Sequence, residues 1–290
     1  MELERPEPIK FAWPIVVLPE LFTTTTHLAI LIGYLSSVGW EVYAPDLRPQ
    51  ATAPYLRSQA VAPNLRTEPV APDLRAQARA GATPPLGRLG FGNLVALATE
   101  ALAALSRDAI VLGHGIGGLV ALKLAEQPNV KAAVAYAPLI PGFRTPLIGG
   151  VGNRIRMWRR RPLLPPTGRM LFEFVADADL FTRERAITAM VPDAAEAARD
   201  VMRGEISFAA AANAAPRLVV AGEADIFAPF DRMTVFANSL GAPLAKIASR
   251  GHWLIGGRAL ERAIGETQRF LVRALGQDLL LLYPEEWKNE

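Results

Sequence analysis

The chain has 290 residues, 51% of them apolar, which suits one α/β domain with an insertion or two small domains and excludes global disorder. It has no cysteine, so disulfides, thiolate metal sites and cysteine catalysis are excluded. The net charge is only +3, and 26 of the 31 basic residues are arginine, a balance that implies no nucleic-acid partner. In chain order, Met1–Lys10 is charged and proline-broken, unlike a signal peptide. Ile15–Leu18 reads as a buried strand, Leu28–Ser37 as the helix after it, and Glu41–Ala44 as a second short strand beyond Gly39. Leu94–Leu105 has helical periodicity, and Ala109–Leu112 is the strand that follows it. Leu119–Leu124 begins another helix, and Ala132–Ala137 is a strand ended by Pro138. Arg217–Ala221 and Leu244–Ile247 are later strands, and Ala259–Leu275 is a closing amphipathic helix. Alternating strands and helices predict a doubly wound, mostly parallel α/β sheet. The longest largely apolar stretch, Ala109–Leu122, is too short and glycine-rich to span a bilayer, so no membrane span and a cytoplasmic location are expected.

Two segments interrupt this rhythm. Within residues 44–79 a nine-residue unit recurs at Ala44–Arg48, Ala53–Arg57, Ala62–Arg66 and Ala71–Arg75, each beginning Ala-Pro and ending Leu-Arg. A proline every nine residues prevents a continuous helix and discourages a central strand. In polyproline II the period would align Arg48, Arg57, Arg66 and Arg75 into a cationic stripe. The plainer reading is a duplicated surface loop, tolerated because longer loops cost little entropy. The second interruption, residues 139–212, is the expected cap, leaving 1–138 and 213–290 as the core. Within it, Arg154, Arg156, Arg159, Arg160 and Arg161 surround Trp158. They read as a solvated helix face over a buried tryptophan, or as a grip on an anionic ligand or membrane surface.

The stretch Gly113-His114-Gly115-Ile116-Gly117-Gly118 joins a strand to a helix and has the frame of a nucleophile elbow, with glycine where serine belongs. Gly222–Pro229, containing Asp225, follows one strand, and Arg250–Trp253, containing His252, follows another. Together these resemble the α/β-hydrolase superfamily over nearly all of Phe11–Leu275, in the order nucleophile, acid, histidine. Trp40–Arg48 is similar to the family's strand and following loop. The resemblance implies that Gly115 stands at the nucleophile position and that Asp225 orients His252 as a base. It also implies that the backbone N–H groups of Leu21 and Ile116 form an oxyanion hole. His114 sits where the family often has histidine and is expected to pack. His27 is expected to cap a helix or lie on the surface, with a polar pocket contact as the alternative.

Two departures bear on activity. Gly115 has no oxygen nucleophile, so no acyl-enzyme forms there, and glycine relieves the strain of the turn. Pro19-Glu20 stands where the family commonly has histidine-glycine, so Glu20 brings a carboxylate near the oxyanion position. Glu20 reads as a solvent-facing loop residue, or as a pocket residue and second base, beside Trp253 and His114. The three histidines are too few and scattered for a metal site, and no metal or cofactor is expected. Gly113, Gly115 and Gly118 also form a G-x-G-x-x-G pattern. A dinucleotide site would need an acid near the end of the next strand, and Ala135–Leu139 has none. The sequence favours a pseudo-hydrolase with a small-molecule pocket and absent or weak ester hydrolysis. The alternatives are a general-base enzyme using His252 and Asp225 without a covalent intermediate, or an esterase or lactonase whose serine was replaced by glycine. Substrate and oligomeric state are not legible.

Overall fold

A computed structural model describes residues 9–47, 56–58, 68–69 and 84–280. The apolar runs form one sheet of β1 (Ile15–Leu18), β2 (Val42–Ala44), β3 (Leu56–Ser58), β4 (Glu68–Pro69), β5 (Ala109–His114), β6 (Val130–Tyr136), β7 (Arg217–Gly222) and β8 (Leu244–Ile247). Their spatial order is β4-β3-β2-β1-β5-β6-β7-β8. The six strands from β2 to β8 in that order pair in parallel, and β3 and β4 add an antiparallel edge beyond β2. Every residue of β1, β5 and β7 is buried, as expected of strands covered on both faces. This is the expected mostly parallel, doubly wound arrangement.

The helices among the described residues are α1 (Ala29–Ser37), α2 (Phe91–Ala103), α3 (Gly115–Leu124), α4 (Val151–Trp158), α5 (Gly168–Phe174), α6 (Leu180–Ala189), α7 (Ala195–Arg203), α8 (Phe230–Ser239) and α9 (Gly257–Leu275). In α9, Leu260, Ile264, Thr267 and Leu271 recur every three or four residues and are buried. Thr267 and the Tyr136 hydroxyl share a 2.7 Å hydrogen bond that pins α9 to β6. No helix among the described residues is long and apolar enough to cross a membrane.

The nine-residue repeat falls mostly outside the described residues, as do Arg48, Arg66 and Arg75 of the expected polyproline stripe; Arg57, the fourth, lies in β3 instead. What is described fits the proline argument. β3 lies in the second copy and β4 after the third, both at the sheet margin, with Pro69 in the outermost strand. Helices α4 to α7 all lie between β6 and β7. One expectation fails here: Trp158 is exposed, not buried. Asn153 takes the inward position on α4, because its side chain both donates to and accepts from the Leu164 backbone at 2.9 Å.

The parallel register aligns the carboxyl ends of the strands, where ligands bind in open α/β sheets. Leu18 pairs with Gly113, so the segment after β1 lies against the turn after β5. The approach is backbone to backbone. A Cβ on Gly113 would lie 2.1 Å from the Gly117 carbonyl oxygen, and one on Gly117 would lie 2.4 Å from that of Pro19.

Candidate active site

Four strand ends deliver the site. β1 leads into Glu20 and Leu21, β5 into the turn at Gly115, β7 into the loop carrying Asp225, and β8 into the loop carrying His252. Gly115 opens α3 with φ +52°, a left-handed conformation that side chains disfavour by about 1–2 kcal/mol. Asp225 is held by its own loop. Its Oδ1 accepts from the Phe227 and Ala228 amides at 2.8 and 3.0 Å, leaving Oδ2 to accept from His252 Nδ1 at 2.8 Å.

Glu20 completes the arrangement. It is 1% exposed, so the expectation of a solvent-facing residue is overturned. Its Oε1 accepts from the backbone amides of Leu21 at 2.5 Å and Ile116 at 3.1 Å. Those are the two amides the sequence assigned to an oxyanion hole. Its Oε2 lies 3.1 Å from His252 Nε2. An ideal Cβ built on Gly115 would sit 0.9 Å from that oxygen and 1.8 Å from the carboxyl carbon. The Glu20 carboxylate therefore fills the space that a side chain at 115 would need. It does so because Gly115 leaves that volume empty and because the first amides of α3, at the positive end of the helix, attract an anion.

His252 sits between two carboxyl groups with both ring nitrogens engaged. Burial alone would lower its pKa. The charge and hydrogen bond of Asp225, joined by those of Glu20, outweigh burial and raise the pKa to about 10. His252 is thus an imidazolium at neutral pH and donates at both nitrogens. His114 is its opposite. Burial, then the His252 charge, push its pKa down to about 3, against the hydrogen bond between its Nε2 and the His252 carbonyl oxygen at 2.8 Å. Neutral His114 donates from Nε2 and packs its ring 4.9 Å from that of His252, the packing role expected of it. Trp253 lies against His114, His27 and Phe174 with ring centroids 6.0, 6.1 and 5.6 Å apart.

His27 caps a 3-10 turn, accepting from the Thr24 amide at Nδ1 (2.8 Å) and donating from Nε2 to the Ala186 carbonyl of α6 (2.9 Å). It is buried, so the capping half of its expectation holds and the surface half does not.

Ligand atoms of Glu20, His114 and His252 lie within 4.8 Å of one another, which makes them, among the described residues, a group that could hold a metal ion. Such an ion would have to break the hydrogen bond between Glu20 and His252, and the imidazolium would have to lose its proton.

Other residues were not singled out from the sequence. Phe174 of α5 and Phe227 pack on His252 with centroids 5.5 and 5.4 Å away. Asp193 accepts from the Phe22 amide at 2.8 Å, and Asp177 from the Gly251 amide at 2.5 Å. These two carboxylates tie the segment between β6 and β7 to the loops carrying Glu20 and His252. The sequence signal was limited to isolated acids in a long insertion.

Space limits the chemistry. The cavity that touches Glu20, lined also by Thr23, Leu47, Ile116 and Val120, has about 30 Å³. A single water needs roughly 10–15 Å³ by a comparable measure, so one or two waters fill it. A larger cavity of about 160 Å³ lies between the 3-10 turn and α6, lined by His27, Ile30, Phe181, Arg185, Ala186 and Trp253 among others. Glu20, Gly115 and His252 do not line it.

A family model described as the alpha/beta hydrolase family matches residues 26–265. No curated protein matches in sequence. Among solved structures, a monoacylglycerol lipase of Paleococcus ferrophilus is similar at 17% identity, with 93% of this chain and 99% of that one covered and a TM-score of 0.59. A methylesterase from Arabidopsis is similar at 12% identity, covering 89% and 98%, with a TM-score of 0.60. A thermophilic esterase from Thermogutta terrifontis is similar at 16% identity, covering 91% and 90%, with a TM-score of 0.60. At these identities the likeness concerns the fold. The chain belongs to the α/β-hydrolase family.

Proposed function

We propose that this member of the α/β-hydrolase family is a pseudo-hydrolase: it binds a small molecule and does not turn over esters. In this reading Gly115 marks the vacated nucleophile position, Asp225 and His252 are the retained acid and histidine, and Leu21 and Ile116 supply the former oxyanion donors. Residues 139–212 are the cap, and 1–138 with 213–290 the core. The observation that carries the reading is the position of the Glu20 carboxylate, in the space of the absent side chain, on both amides and on His252.

Ester hydrolysis by the family's route needs a nucleophile, a neutral base and an open pair of N–H donors. Gly115 supplies no nucleophile, His252 is held protonated, and Glu20 uses the donors. Attack by Glu20 itself is disfavoured because both its oxygens are engaged, Oε1 by the Leu21 and Ile116 amides and Oε2 by His252. The general-base alternative is disfavoured because His252 Nε2 faces Glu20 rather than water. A serine at 115 would collide with Glu20, which favours the two residues having changed together.

The candidate ligand pocket is the cavity of about 160 Å³ beside Trp253. That is comparable to an engineered cavity of roughly 150 Å³ that holds a benzene-sized guest. Its walls are mainly apolar, with Arg185 at one side. The test is turnover of short-acyl p-nitrophenyl esters and lactones by the unaltered chain, with a thermal-shift screen of small aromatic and branched aliphatic compounds. No turnover above buffer, with a saturable shift from an apolar compound, is expected. Sustained turnover by the folded, unaltered chain overturns the reading.

A further inference from the structure

The helix that exposes Trp158 has an unusual surface. At 100° per residue, Val151, Ile155 and Trp158 fall within about 60° of one another on α4. All three are exposed, at 72%, 47% and 78%. Arg154 and Arg159 fall about 40° to either side of this stripe. The opposite side faces the protein. Asn153 is clamped to Leu164 by two hydrogen bonds, Met157 packs on the core, and Arg156 Nε donates to the Pro162 carbonyl at 2.6 Å. The stripe therefore cannot rotate inward.

The sequence around the stripe is basic. Residues 151–172 contain six arginines and no acidic residue, in a chain whose net charge is only +3. Among the described residues, Arg160 and Arg169 have acidic partners, Glu196 and Glu173. The Arg159 guanidinium lies 6.0 Å over the Trp158 ring.

We propose that α4 is a docking helix for an anionic lipid surface, inserting Val151, Ile155 and Trp158 at the level of the headgroups while the arginines bind lipid phosphates. The pattern is that of a helix lying in the membrane plane, with an apolar face, a basic flank and tryptophan at the boundary. Arginine stems rest on apolar surface while their heads reach the phosphates. A nucleic acid would use the arginines and leave the apolar stripe without a role. A second copy of the chain would bring the two arginine sets face to face across a two-fold axis, where they repel. The inference is independent of the state of the elbow, since α4 contributes no residue to it.

The test is co-sedimentation of the full chain with extruded vesicles of phosphatidylcholine alone, or with a minority of phosphatidylglycerol. Binding to the anionic vesicles only, with a blue shift in tryptophan emission, is expected. Trp158→Ala should weaken it about tenfold, as expected for partial burial of one large side chain. Arg154→Gln and Arg159→Gln should each weaken it about fivefold, the equivalent of about 1 kcal/mol per basic residue near an anionic surface. These side chains lie on the surface, so the variants should fold. A mixed-sequence DNA duplex serves as the polyanion control, and its binding should not respond to Trp158→Ala. Three results would overturn the proposal: no binding to anionic vesicles at low salt, equal vesicle binding by the parent and Trp158→Ala, or DNA binding that depends on Trp158.

Discussion

Replacing Gly115 by serine, the change that would nominally restore the hydrolase, should instead damage the protein. The new Cβ would lie 0.9 Å from Glu20 Oε2 and 2.6 Å from Oε1, so the carboxylate must leave. It would give up hydrogen bonds from Leu21, Ile116 and His252. Hydrogen bonds to a charged group contribute about 1.5–3 kcal/mol each, so the gross loss is about 4–9 kcal/mol, with about 1–2 more for a side chain at φ +52°. Relaxation and entering water recover part of this. A net loss of about 4 kcal/mol lowers the melting temperature by roughly 8 °C, at about 2 °C per kcal/mol for a chain of this size. Glu20→Gly removes the obstacle, so Glu20→Gly/Gly115→Ser should be more stable than the two single changes predict, by about 2–3 kcal/mol of coupling. The double variant should also hydrolyse p-nitrophenyl acetate about 10²–10³-fold faster than Glu20→Gly alone, because it adds a hydroxyl nucleophile beside open donors. Urea unfolding of all four proteins and one esterase assay decide the matter. Additive stabilities would refute the placement of Glu20.

The histidines set a pH optimum of stability. His252, raised to about 10, contributes stability that is fully present below its ordinary value near 6.5 and is lost as pH rises toward 10. His114, lowered to about 3, stays neutral when folded but protonates when unfolded, so stability also falls as pH drops below about 6.5. Thermal melts should therefore peak near pH 6.5, and a plateau extending to pH 9 would contradict the charged His252. His252→Ala leaves the Asp225 and Glu20 carboxyls without their counter-charge, and about 3–5 kcal/mol of destabilisation should appear in urea unfolding. A loss under 1 kcal/mol would show that His252 is not held as an ion. Thr267→Val strands the buried Tyr136 hydroxyl, and a loss of about 1–3 kcal/mol in the same assay is expected. Deleting residues 53–79 removes both antiparallel edge strands, so the melting temperature should fall by about 5 °C, the equivalent of two or three edge hydrogen bonds. No change would show that the repeat is a passive loop.

Much of the fold was legible because parallel strands covered on both faces read as apolar runs. Ile15–Leu18 forms a strand at the expected bounds, and Ala109–Leu112 extends to His114; Leu244–Ile247, also at its expected bounds, is a partly exposed edge strand. The three loops of the site were legible because each follows a strand and carries one distinctive residue. The conformation of Glu20 was not. A glutamate after a strand is ordinarily solvated, and its burial depends on volume vacated by a residue 95 positions away. The available signal was the coincidence of the two departures, a missing side chain at Gly115 and an added carboxyl at Glu20, each unfavourable alone. Trp158 was misread because tryptophan is ordinarily buried. What turns α4 outward is Asn153, and its role depends on the Leu164 backbone lying opposite, a tertiary fact.

The central claim is that Glu20 stands where a nucleophile would stand and holds His252 charged, and histidine side-chain nitrogen NMR on the unaltered chain reads this directly. The account predicts that His252 carries protons on both ring nitrogens through pH 8, losing one only as the pH nears about 10, with Nδ1–H and Nε2–H each coupled to a carboxylate. Titration of His252 near ~6.5, the ordinary histidine value, would mean that Glu20 does not occupy the site, and the pseudo-hydrolase reading would fall with it.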